Sequence, residues 1–147
     1  MSIHEATVRA AEREPARIQA TIVADEHRLD FLPRHFGEKH MLRAEATVYG
    51  LMQRLTHNGY QGGHWHFIEL SNGGFYLRVN GEKRYTIAPE GNFFKGEMSA
   101  DAASITACLF AINQLIWQGL HLQDAYDRLK DFACEHDEFE SILAAID

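Results

Sequence analysis

The chain has 147 residues, 46% of them hydrophobic, and a formal net charge of −7; this fits one domain that buries a core without staples, and it leaves no basic stripe for a nucleic-acid backbone. Its two cysteines, Cys108 and Cys134, have neither CxxC spacing nor a partner cluster. A disulfide framework and a zinc knuckle are therefore not expected, and both are read as reduced thiols in the cytoplasm.

The charge is unevenly placed. From Asp124 to Asp147 there are eight acids and two bases, a net of −6, while the rest of the chain nets −1. The opening "SIHEATVRAAERE" lacks an apolar core segment, so it is not read as a secretory signal; it suits a weak helix ending at Pro15. "RIQATIV" alternates, with Ile18, Ala20 and Ile22 on one side, and reads as a half-buried strand. "RLDFLPRHFG" reads as a connector punctuated by Pro33 and Gly37. A helix is expected from about Glu38 to Thr56, with Met41, Ala44, Val48, Leu51, Met52 and Leu55 as its apolar stripe.

"GGHWHFIELSNGGFYL" (62–77) carries a strong hairpin signal in "SNGG". With Asn72-Gly73 as a two-residue loop, Leu70 faces Phe75, Ile68 faces Leu77 and His66 faces Val79 on the core side. The other side carries Trp65, Phe67, Glu69, Tyr76 and Arg78. Arg78 then lies opposite Phe67 and diagonal to Glu69. "KRYTIA" reads as the next strand, joined through the turn in "VNGE" to complete a meander.

Ser99 is a good N-cap, with Asp101 in the first turn of a helix running to about Gln118. No Asp, Glu, Lys or Arg occurs from Ala102 to Gln123. That length would span a bilayer, but Ser104, Thr106, Asn113, Gln114, Gln118 and His121 interrupt it, so a buried core helix is expected. An amphipathic helix follows over Leu122–Ala133. A last one is expected from Asp137, with Glu140 completing a capping box.

The His64–x–His66 pair is the one constellation that invites metal chemistry, because alternate strand residues share a face. Zinc catalysis needs a third protein ligand; Glu69 points to the opposite face, and a distant His35, His40 or His57 could complete the set, though nothing in the sequence requires it. A small metal-assisted hydrolase using His64 and His66 is thus the minor alternative. GxSxG, HExxH and phosphate-loop motifs are absent from the sequence. No catalytic residue, cofactor or metal is assigned.

Five blocks carry a resemblance: "FLPRHFG" (31–37), "MLRAEATVYGLM" (41–52), "GGHWHFIELSNGGFYL" (62–77), "GEMSADAASI" (96–105) and "ILAAID" (142–147). In these the chain resembles the ArdB/KlcA antirestriction family. The resemblance implies a protein of plasmids and other mobile elements that protects incoming DNA from host Type I restriction–modification enzymes, with no catalytic residues to carry over.

The expected architecture is a single α+β domain over 1–147. A small antiparallel β-meander of about three strands, with room for a fourth, packs with four to five helices, one of them central and nearly uncharged. The expected partner is the Type I restriction–modification complex or an accessory host protein, met by a cytoplasmic monomer without direct nucleic-acid or membrane binding. Candidate contacts are Glu69, Arg78 and three acids, Asp124, Asp127 and Asp131, which share one helix face. DNA mimicry is disfavoured: duplex DNA presents about twenty charges over ten base pairs, against eight diluted carboxylates here.

Overall fold

In the computed structural model, which describes residues 17–147, β2 (Trp65–Leu70) pairs antiparallel with β3 (Phe75–Val79). The helix expected before Pro15 lies outside the described residues. Trp65 faces Val79, Phe67 faces Leu77 and Glu69 faces Phe75, one residue away from the expected register. The turn is the cause. Gly73 takes positive φ (87°) while Asn72 does not. The loop is Ser71–Asn72–Gly73, closed by Leu70 N–H to Gly74 O at 2.9 Å and Gly73 N–H to Leu70 O at 3.0 Å. This is a three-residue turn ending in a glycine bulge. Asn72 acts as a strut: its Oδ1 accepts from Gly74 N–H and its Nδ2 donates to Arg128 O, both at 2.9 Å.

A one-residue slip turns one strand over relative to the other. One face therefore carries Trp65, Phe67, Glu69, Phe75, Leu77 and Val79. The other carries His66, Ile68, Leu70, Tyr76 and Arg78. Arg78 sits opposite His66, so the expected contacts of Arg78 with Phe67 and Glu69 are not made. Both faces are covered, which is why eight of the eleven residues of the two strands are buried and none is exposed.

The third strand of this sheet is β1 (Ala20–Ile22), paired with β2 in the order β1-β2-β3. It is an exposed edge and not the half-buried strand expected. "KRYTIA" does form a strand, β4 (Tyr85–Ile87), but it leaves the main sheet to pair with β5 (Gly96–Met98).

The presumed connector is a helix, α1 (Arg28–Phe36), with Pro33 inside it. Proline removes one amide and crowds the carbonyl four residues back. That carbonyl belongs to Leu29, which is exposed to water. The helix is held by rings: Phe31 stacks on Phe67 at 4.6 Å, and Phe36 meets Phe75 edge-on at 5.2 Å. α2 (Met41–Leu55) buries Ala44, Val48, Leu51, Met52 and Leu55, the expected stripe except for half-buried Met41.

α3 (Ala100–Trp117) is the central helix. Ser99 caps it, its side chain accepting from Ala102 N–H at 3.1 Å. The helix is long and apolar enough to cross a membrane by composition, but most of it is buried inside the fold. It covers the edge of β3. The odd-numbered amides there point away from β2, and Val79 N–H donates to Ser104 Oγ at 3.0 Å while Leu77 N–H reaches Cys108 Sγ at 3.4 Å. Burial pushes the Cys108 thiol up to about 12, so it stays protonated and donates to Leu77 O at 3.4 Å. Two side chains one helical turn apart thus replace a neighbouring strand. α4 (Gln123–Cys134) lies on the second sheet face, with Phe132 against Tyr76 at 5.8 Å. α5 (Phe139–Ile146) packs on α3 and α4. The expected Asp137–Glu140 capping box is not made; α5 begins after Glu138 and has no side-chain cap.

Candidate functional site

Three elements bring their polar residues to one place beside the N-terminus of α3. Asp101, in the first turn, accepts from the Tyr76 hydroxyl at 2.7 Å and from His136 Nε2 at 2.8 Å. Arg78 Nε lies 3.2 Å from the same carboxylate but off the hydrogen-bonding axis, so that contact is electrostatic. Burial alone would raise the Asp101 carboxyl. The hydrogen bonds from His136 and Tyr76, with the charges of His136 and Arg78, outweigh it and hold the group below its ordinary value. The same hydrogen bond raises His136 against the opposing effect of burial. Burial, then Asp101, pushes the Tyr76 phenol far above its usual range.

The neighbouring turn is tied to the same helix end. Glu138 accepts from Ser99 N–H at 2.9 Å and also from the Ser99 hydroxyl. Its own amide donates to His136 Nδ1 at 3.0 Å. Both His136 nitrogens are thus engaged, and Tyr76 cannot release its proton near neutrality. The cluster joins β3, α3 and the α4–α5 turn; it leaves no free acid–base couple. Linear spacing gave no signal for it, since its members stand at 76, 78, 101, 136 and 138. Only Asp101 and Ser99 were legible, as helix-start residues.

Glu69 and Arg78, expected near one another, lie on opposite sheet faces. Glu69 accepts from Arg34 at 2.5 Å and meets His35 Nε2 at 2.6 Å. His35 stacks on Phe75 at 3.9 Å, and burial lowers its pKa despite Glu69. Arg28, not Arg78, sits over Phe67, 4.3 Å from the ring centre. The His64 and His66 rings lie 5.0 Å apart, with His66 Nε2 2.9 Å from Asn80 Oδ1. Among the described residues, no third donor joins them in a metal-holding group.

Asp124, Asp127 and Asp131 are all exposed and form a ridge along the outer face of α4. The two bases of the helix stand to either side of it. Arg128 packs against the hairpin turn, its guanidinium near Gly73. Lys130 lines a groove facing α5.

Residues 58–147 match the family described as antirestriction protein. Antirestriction protein KlcA of Escherichia coli is 49% identical over 141 residues, covering 90% of this chain and 96% of the relative. The chain belongs to the antirestriction protein family. A putative antirestriction protein, YubI of Escherichia coli K12, is 44% identical over 90 residues, 61% of this chain and 62% of the relative. A solved structure is 44% identical with a TM-score of 0.81, covering 91% of this chain and 98% of its own. It comes from work on KlcA and ArdB, whose stated finding is a novel fold and antirestriction activity against Type I DNA restriction systems in vivo but not in vitro. The segment matching the antirestriction family holds the whole Asp101 cluster and the α4 ridge. It includes Glu69 but not Arg34 or His35.

Proposed function

We propose that the chain is an antirestriction protein of a mobile element, acting in the cytoplasm as a monomer to shield incoming DNA from host Type I restriction–modification enzymes. It does so by binding a protein, either the restriction complex or an accessory host factor, and not by copying DNA. The carrying observation is the likeness to KlcA and ArdB along nine-tenths of the chain, joined to their activity in vivo but not in vitro. A DNA mimic would occupy the DNA site of a purified enzyme. A protein that needs a further cellular component acts only in the cell. Charge supports the same reading, because three exposed carboxylates on one helix are few against the charge density of duplex DNA. The ridge Asp124–Asp127–Asp131 makes the first contact, where opposite charge speeds encounter with a basic surface. Glu69 and Arg78, held in internal pairs, serve to position their faces. No catalytic step or cofactor is involved.

The test is plating of unmodified phage on a Type I-restricting host. Expression of the protein should raise plating efficiency there, and much less on a Type II host. Equal plating with and without soluble protein would sink the proposal.

A further inference from the structure

The groove between α4 and α5, a cavity of about 410 Å³, is lined by Tyr126, Lys130, Leu143, Ala144, Ile146 and Asp147. Four of its six lining residues carry apolar or aromatic side chains. Tyr126, Leu143 and Ile146 are only half-buried, and Ala144 is exposed. On α5, with Ile142 and Ala145 turned into the core, Leu143 and Ala144 are left at the surface, while Ile146 and Tyr126 of α4 pack in part against the core. Phe139, one turn before Leu143, is likewise 41% exposed.

Acids flank this strip on both sides. On α4, Asp127 stands three residues before Lys130, so it lies next to the groove on its outer side. On α5, Glu140 stands three residues before Leu143 and four before Ala144, and Asp147 is itself in the lining. Lys130 is the one base among the six lining residues. An apolar floor between acidic walls, formed by two packed helices, complements a helix with one apolar stripe and basic flanks. We propose that the α4–α5 groove docks a basic amphipathic helix of the partner. The proposal rests on the protein-binding reading above and names the seat of that contact. The ridge draws the basic segment in, and the groove holds its apolar stripe. The 12 residues of α4 span about 18 Å, enough for roughly three turns of a docked helix.

The probe is a fluorescent amphipathic peptide of about 18 residues built from leucine and lysine, titrated into the full chain and read by anisotropy. A glutamate counterpart and a scrambled lysine peptide serve as controls. Ala144→Arg fills and charges the groove from an exposed helical position, and Glu140→Lys reverses one wall; melting curves verify that both fold. The expected result is saturable binding of the leucine–lysine peptide alone, weakened roughly tenfold by either substitution. Equal binding by parent and variants, or by the scrambled peptide, would overturn the proposal. So would a concentration-dependent dimer abolished by Ala144→Arg, which would make a second copy the occupant. Phage plating separates the two readings. If the parent protects but the peptide does not bind, the groove fails and the function stands. If the parent does not protect, the function fails and the peptide still judges the groove.

Discussion

Asp101 illustrates how one side chain serves fold and charge together. It stabilises the start of α3 as an anion at a helix N-terminus, and it anchors the α4–α5 turn through His136. Replacing it with Asn removes the charge while keeping the shape, and should cost about 1–3 kcal/mol. The cost depends on pH. Asp101 titrates below its unfolded value of 3.8, so its contribution is present above that pH and is lost as the pH falls through the lower folded value. His136 titrates above its unfolded value of 6.5, so its charged pairing with Asp101 is complete below that pH, where protonated Nδ1 gives up the Glu138 amide, and is lost as the pH rises through the higher folded value. Both hold between about 4 and 6.5, where Asp101→Asn should depress the melting temperature most. A constant difference across that range and up to pH 9 would refute the pairing. The histidines of the hairpin make the opposite case. With His64 exposed and His66 bonded to Asn80, the double change to Ala should leave phage protection within a few-fold of the parent. Loss of protection by a well-folded double variant would return them to the functional site.

At the scale of elements, α3 does what a strand would otherwise do. Ser104 Oγ accepts from Val79 N–H and donates to Ala100 O at 2.7 Å, fully buried. Ser104→Ala orphans the strand amide and should cost about 1–3 kcal/mol, measurable by denaturant unfolding; an unchanged midpoint would mean that the edge is satisfied some other way. α4 should behave differently. Changing Asp124, Asp127 and Asp131 together to Asn touches no buried contact, so the melting temperature should hold. Protection should weaken at low expression, where encounter limits the effect, and less at high expression. Full protection at every level would leave the ridge as a solvated surface. The helices were the legible part of the sequence, because each writes its own stripe or cap: Ser99 before α3, and the spacing from Ala44 to Leu55 in α2. α1 was hidden because Pro33 and Gly37 read as breakers, while the rings that hold it belong to the hairpin. The register was missed for a related reason. "SNGG" admits both two- and three-residue loops, and the choice is made by Asn72 bonding to Arg128 on a helix 56 residues away. The Asp101 cluster depends on that register, so no local signal could assemble it.

For the whole molecule, the sharpest expectation separates the cell from the test tube. With an accessory host factor as the partner, purified protein added to a purified Type I enzyme and unmodified DNA should leave cleavage unchanged, whereas the same protein should protect phage in living cells. Inhibition in the purified system would favour direct occupation of the enzyme over an accessory partner. The arrangement of α3 against the hairpin has one more consequence, this time for how the chain is made. β3 ends at Val79 and its cover ends at Trp117. At ~5–20 residues per second, the ribosome delivers the strand roughly two to eight seconds before the helix is complete. During that interval the amides of Leu77 and Val79 have water, or another nascent chain, as their only available partners. Slow codons across α3 should therefore lower the soluble yield of a protein whose finished form is unchanged, while the same codons placed after α3 should not.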